Sequence, residues 1–153
     1  MDPAKRVRVT VVTDAAIPAL FDFLTIPSNQ VRMDGSKTLH ALTGSTRITK
    51  VGDVFPMRVE FPDRAAYDIE NHVVAFVPDV QIGWMPARPG EPPIGVRWDW
   101  QFDIGPKGET QITQTCDWSR VSDAEYLAMH TLPRVSAHQM RRSVATLITL
   151  VGE

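Results

Sequence analysis

The sequence predicts an α+β domain. Seven antiparallel strands form a sheet with one apolar face, two short helices follow the first strand, and a long C-terminal helix covers that face. Three observations carry this reading. In "VRWDWQF", Val96 to Phe102, large apolar side chains stand at every second position, with Arg97, Asp99 and Gln101 between them. Strand side chains alternate faces, so Trp98 and Trp100 point to the buried side and the charged row points to water. Secondly, strand-like segments separated by turn residues recur from Ser36 to Ser119. Thirdly, "SAHQMRRSVATLITLVG" puts Ala137, Met140, Val144, Leu147, Ile148 and Val151 at helical spacing, and a one-sided sheet needs such a cover.

The elements follow in order. Arg6–Thr13, rich in Val and Thr, reads as the first strand. "DAAIPALFDFL" turns helical: Pro18 suits the first helical position, where its missing N–H has no partner to lose, and Leu20, Phe21 and Leu24 share a face. A second short helix runs from Pro27 to Arg32 and ends at "MDG". Ser36–Thr43 is a strand closed by Gly44. Asp53–Phe61 places Phe55, Met57, Val59 and Phe61 on one face, and "PDR" turns the chain. Tyr67–Val77 and Val80–Met85 flank a tight turn at Pro78–Asp79. Ile94–Ile104 and Thr110–Ser119 flank "GPKGE", whose Pro and Gly residues are turn chemistry. Ser122 with Glu125 reads as a capping box opening a short helix over Asp123–Met129. Ser136 with Gln139 is a second box, opening Ala137–Val151, which Gly152 ends. Pro133 breaks or kinks the helical run between them.

Bulk composition narrows the function classes. A chain of 153 residues is one ordinary domain, taken as 1–153. The net charge of −2 gives no general electrostatic case for nucleic acid or an anionic membrane surface. The basic spots, "KRVR" and Arg141–Arg142, read as solvated faces, the latter pair also being available to a partner. Cys116 is the one cysteine, so no internal disulfide forms and a cytoplasmic location is expected. The N-terminus lacks the apolar region of a signal peptide, and no apolar run reaches the ~20 residues that span a bilayer. No phosphate-binding or dinucleotide-binding glycine pattern is present. No cofactor is expected.

"IPALFDFL", "VGDVFPMRV", "YDIENHVVAFVPDVQIGW", "WDWQFDIGPKGETQITQTCDWS" and "LPRVSAHQMRRSVATL" together resemble the START-like, or SRPBCC, superfamily, the polyketide cyclase/dehydrase and lipid transport group. The resemblance covers about Val7 to Val151. It implies a helix-grip fold, in which a curved sheet wraps round the long helix and encloses an elongated apolar cavity. Members bind lipids, sterols, polyketides or hormone-like molecules, some catalyse cyclisation or dehydration, and others act as co-chaperones. The resemblance also implies a cavity mouth built from alternate loops, here Asp34–Lys37, Pro62–Ala66, Pro86–Ile94 and Arg120–Asp123. The third, "PARPGEPPI", holds four prolines and should be stiff.

The candidate site residues fall on the apolar face. Trp98, Trp100 and Phe102, with Trp84 and Trp118, line either a pocket or an ordinary core; Trp98 stands nearest the proline-rich loop, and Phe102 and Ile104 read as core. Phe55, Met57, Met140 and Val144 add apolar contact. Asn71 shares parity with Tyr67, Ile69 and Val73, and Gln114 with Ile112, Cys116 and Trp118, so both amides point into the hollow. A buried amide needs a partner. That partner is a ligand's polar group, or else each other, Tyr67 or trapped water.

Metal binding is not expected from His40, His72, His130 and His138, because their positions do not converge. His72 falls on an outer row with Asp68 and Glu70, and His138 on the polar side of the long helix. His130, near the expected mouth, is a candidate general base, with Tyr67 as a second acid/base candidate; the alternative for His130 is a half-exposed structural role. Cys116 reads as inert packing.

The leading expectation is a domain that binds a hydrophobic or amphipathic small molecule in an internal cavity, as a monomer or weak homodimer. It makes no nucleic-acid contact and no membrane insertion. Two alternatives stand beside it: a polyketide cyclase or dehydratase using the same cavity, and an interaction module of co-chaperone type.

Overall fold

The computed structural model describes residues 3–41 and 45–153. A 3-10 turn at Pro3–Lys5 leads into β1 (Arg6–Thr13). Two helices follow, α1 (Ile17–Leu24) and α2 (Pro27–Met33), and then β2 (Leu39–Ala41). The meander continues through β3 (Val54–Val59), β4 (Tyr67–Val77), β5 (Gln81–Ala87), β6 (Arg97–Ile104) and β7 (Thr110–Asp117). It ends in α3 (Ala124–Met129) and α4 (Ala137–Val151). The architecture is the α+β helix-grip arrangement expected from the sequence.

The sheet order is β1-β7-β6-β5-β4-β3-β2, with every neighbouring pair antiparallel. The strands from β2 onward pair with their sequence neighbours, as short turns dictate. β1 joins the far edge against β7, from Arg6 opposite Asp117 to Thr13 opposite Thr110. A bulge between Val73 and Ala75 in β4 shifts the alternation. Beyond it Phe76 faces inward and meets the Phe21 ring edge-on at 5.4 Å. The extra residue of a bulge bends a strand and increases its twist, which suits a sheet that curls round a helix.

The helices behave as their patterns require. Pro sits in the first turn of both α1 and α2, and α1 buries Leu20, Phe21 and Leu24. α4 buries Met140, Ser143, Val144 and Leu147, and packs on β1, β7, α1 and α2. Its capping box is formed: Gln139 N–H donates to Ser136 Oγ at 3.1 Å, and Ser136 N–H donates to Gln139 Oε1 at 2.9 Å.

Four expectations change. The Ser122 capping box is absent, because Asp123 is the N-cap of α3: its carboxylate accepts from the N–H groups of Glu125 and Tyr126. The strand expected over Ser36–Thr43 begins only at Leu39, since residues 36–38 are tied into a turn by Asp34. Its Oδ1 accepts from Ser36 N–H and its Oδ2 from Thr38 N–H; residues 42–44 of that strand lie outside the described residues. Ile104 is 69% exposed rather than core, as the last residue of β6. His72 is not fully solvated, because its Nε2 is buried without a partner.

Candidate functional site

A cavity of about 500 Å³ lies between the concave face of the sheet and α4. All four tryptophans of the chain, Trp84, Trp98, Trp100 and Trp118, contribute to its lining. The strand pairing explains their convergence. Trp84 on β5 stands directly opposite Trp98 on β6, and Trp100 stands opposite Gln114 on β7. Matching parity on adjacent strands therefore stacks these side chains on one wall. Met140 and Ser143 of α4 and Gln30 and Met33 of α2 close the other side.

Of the candidate binding residues, Tyr67, Asn71, Trp84, Trp98, Trp100, Gln114 and Met140 line this cavity. Phe55, Met57 and Val144 do not reach it. They are fully buried in the core beside it. Phe55 supports the wall from behind, its ring meeting Trp84 edge-on at 5.4 Å. The parity of these three residues is as expected, but their part of the inner face is covered by packed side chains.

The polar lining divides into satisfied and unsatisfied groups. Gln30 Nε2 donates to the Leu24 carbonyl at 2.9 Å. Ser143 Oγ accepts from Gly35 N–H at 2.8 Å and donates to the Gln139 carbonyl. Asp34 is occupied by the turn it organises. Gln114, by contrast, is 7% exposed and its Oε1 is buried with no hydrogen-bond partner. Asn71, also buried, makes no side-chain hydrogen bond among the described residues. Neither amide is paired with the other or with Tyr67. A buried polar group left in this state costs stability, on the order of 1–3 kcal/mol.

The mouth is built by residues 34–38, the 61–64 turn, the proline-rich loop after β5, and α3 with the segment that follows it. The fourth expected loop, Arg120–Asp123, does not reach the cavity; Tyr126, Met129 and His130 take its place. Sequence reasoning missed Tyr126 and the arginines of this rim. The aromatic ring in the short predicted helix was the available signal for Tyr126.

Tyr126 and His130 stack with ring centroids 4.4 Å apart. Arg134 lies over the Phe61 ring at 4.0 Å and pairs with Asp63 at 3.0 Å. Arg64 donates to the Met129 carbonyl at 2.6 Å. Arg88 stands 3.8 Å from Glu91 and 3.9 Å from Asp123.

These neighbours set the titration of the rim. Burial, then the charges of Arg134 and Arg64, lower the pKa of His130 below its ordinary value, and its Nδ1 is buried without a partner. The imidazole is therefore neutral near pH 7. Burial, reinforced by Tyr67 close by, pushes the Tyr126 hydroxyl up to about 12. Burial likewise raises Tyr67. The Cys116 thiol, buried against the cavity, is pushed up to about 12; it stays protonated and is a poor nucleophile. Among the described residues, no three His, Cys, Asp or Glu side chains converge to hold a metal ion.

No family model matches the chain, and no curated protein matches it. Solved structures do match over nearly its whole length. A protein of Chromobacterium violaceum shares 14% identity, covering 98% of this chain and 99% of its own, with a TM-score of 0.64. An AHSA1-like protein from Aeromonas hydrophila shares 18% identity over 95% of this chain and 92% of its own, with a TM-score of 0.57. DynU16, from the dynemicin biosynthetic locus, shares 19% identity over 98% of this chain and 48% of its own, with a TM-score of 0.59. This chain thus spans about half of DynU16. Likeness at such identities shows the fold alone, and that fold is consistent with the START-like resemblance.

Proposed function

We propose that this protein binds a hydrophobic or amphipathic small molecule in the cavity between the sheet and α4. The observation that carries the reading is the cavity itself: about 500 Å³, lined by all four tryptophans, with a buried amide oxygen, Gln114 Oε1, that has no hydrogen-bond partner among the described residues. Ligand sites of this kind are mostly apolar, with a few polar groups that fix orientation. Trp84, Trp98, Trp100 and Met140 supply apolar contact, while Asn71, Gln114 and Tyr67 orient the guest. Phe55, Met57 and Val144 hold the walls in place. One chain contains the whole cavity, so binding needs no second copy. No helix among the described residues is long and apolar enough to cross a membrane, and the single protonated thiol suits a reducing compartment such as the cytoplasm.

Because every tryptophan lines the cavity, intrinsic fluorescence reports its occupancy. Titration with the neutral dye N-phenyl-1-naphthylamine should quench tryptophan emission and raise dye emission, both saturating at one equivalent. Native mass spectrometry of protein before and after organic extraction should show a bound mass of a few hundred daltons. A dye signal that never saturates, together with no extractable mass, sinks the reading.

A further inference from the structure

The cavity's ligand class follows from which of its polar groups are already used. The carboxylates of the lining are engaged: Asp68 pairs with Arg58 at 2.9 Å, and Asp34 is bonded into its turn. Of the rim arginines, Arg134 has Asp63, and Arg88 has Glu91 and Asp123. Arg64 has no carboxylate within ion-pair distance among the described residues, although its charge acts on the neighbouring Asp63. Its one side-chain hydrogen bond among the described residues, to the Met129 carbonyl, ties the guanidinium to the end of α3 and leaves most of its five N–H donors free. Two lining groups are buried without a partner among the described residues, His130 Nδ1 at the rim and Gln114 Oε1 on the sheet wall, and of these the Gln114 amide oxygen is an acceptor only. An amide offers both a donor and an acceptor, and a hydroxyl complements both.

We propose that the ligand is an amphipathic organic acid: an apolar body that carries a hydroxyl paired with Gln114 and a carboxylate set against Arg64. This assignment rests on the cavity being a ligand site. A carboxylate suits a guanidinium because two parallel N–H···O bonds form with charge assistance. At His130 the charges of Arg134, Arg64 and Arg88 disfavour a proton, as they would favour an anion beside them, and Asp63 opposes them. An apolar body suits the rest of the lining, which includes four indole rings and Met140.

The test uses ω-hydroxydodecanoic acid, its methyl ester and dodecanoic acid, each displacing N-phenyl-1-naphthylamine from the wild-type protein, Arg64→Gln and Gln114→Leu. In the wild type the hydroxy acid should bind about tenfold tighter than its ester and several-fold tighter than the acid without the hydroxyl. The acid–ester difference should collapse in Arg64→Gln alone, and the hydroxyl preference in Gln114→Leu alone. Equal binding of all three compounds by a wild-type protein that takes up the neutral dye overturns the ligand class and leaves the cavity reading standing. Binding of neither the dye nor any compound overturns both. Because the comparison among compounds is made in the wild type, it does not depend on how either variant folds.

Discussion

His130 shows how neighbours set the charge of one side chain. It is held neutral by burial and by Arg134 and Arg64, with Arg88 adding to them and Asp63 opposing. In the unfolded chain it would take a proton near its ordinary value of 6.5. The unfolded state therefore binds more protons at mildly acidic pH, and stability falls as pH drops below that value. Above it both states are neutral and the residue contributes nothing to the pH dependence. Denaturant unfolding of the wild type at steps from about pH 7.5 to about pH 5 should show this decline, and His130→Gln should show a flatter profile over the same range. An unchanged slope in the variant would mean that His130 is protonated as easily in the fold as in the open chain.

At the scale of elements, the proline-rich loop has to join β6 without blocking the cavity that it borders. Gly95 makes the join. Its φ of +109° is a conformation that L side chains rarely adopt, and a Cβ there would lie 2.6 Å from the Arg120 carbonyl oxygen and 2.8 Å from the Val121 nitrogen. Both atoms are backbone, so the clash cannot be relieved by rotating a side chain. Gly95→Ala should destabilise by about 2 kcal/mol or more. Gly52→Ala, at φ +96° but facing open space, should cost only the backbone strain. Thermal melts of the two variants check the order, and equal losses would show that the contact with Arg120 is unimportant. The same scale explains what could be read from the sequence. Alternation placed Trp98, Trp100, Asn71 and Gln114 on the inner face, because one-residue parity leaves two choices and the charged row settles them. It could not separate Trp100 from Phe55: both face inward, and only the tertiary structure decides whether a void or packed side chains lie opposite. The Ser136 capping box was legible because it is local. The Ser122 box failed because Asp123, one residue on, offers a carboxylate to the Glu125 N–H that the box needs, and to the Tyr126 N–H as well. Ile48, buried at 2% in an irregular segment, had no periodicity to reveal it.

For the whole molecule, a cavity of about 500 Å³ in a chain of 153 residues is a structural cost. Side chains that border a void lose the dispersion contacts that a packed core would supply. The unpaired Gln114 Oε1 adds to that cost. A guest that fills the space returns those contacts and stabilises the fold by mass action. Stability without a guest and capacity for one therefore oppose each other, and one substitution can move both. Val59 is buried on the inner face of β3, opposite Tyr67 on β4, and lines the cavity. Val59→Phe places four further carbons on that face. It should raise the melting temperature of protein stripped of any guest by roughly 2–4 °C, the shift that ~1 kcal/mol gives at this size. It should also weaken N-phenyl-1-naphthylamine uptake strongly. A lower melting temperature with uptake unchanged would mean that the added carbons meet packed atoms and that the dye binds elsewhere. A higher melting temperature with uptake lost would tie both properties to the same space.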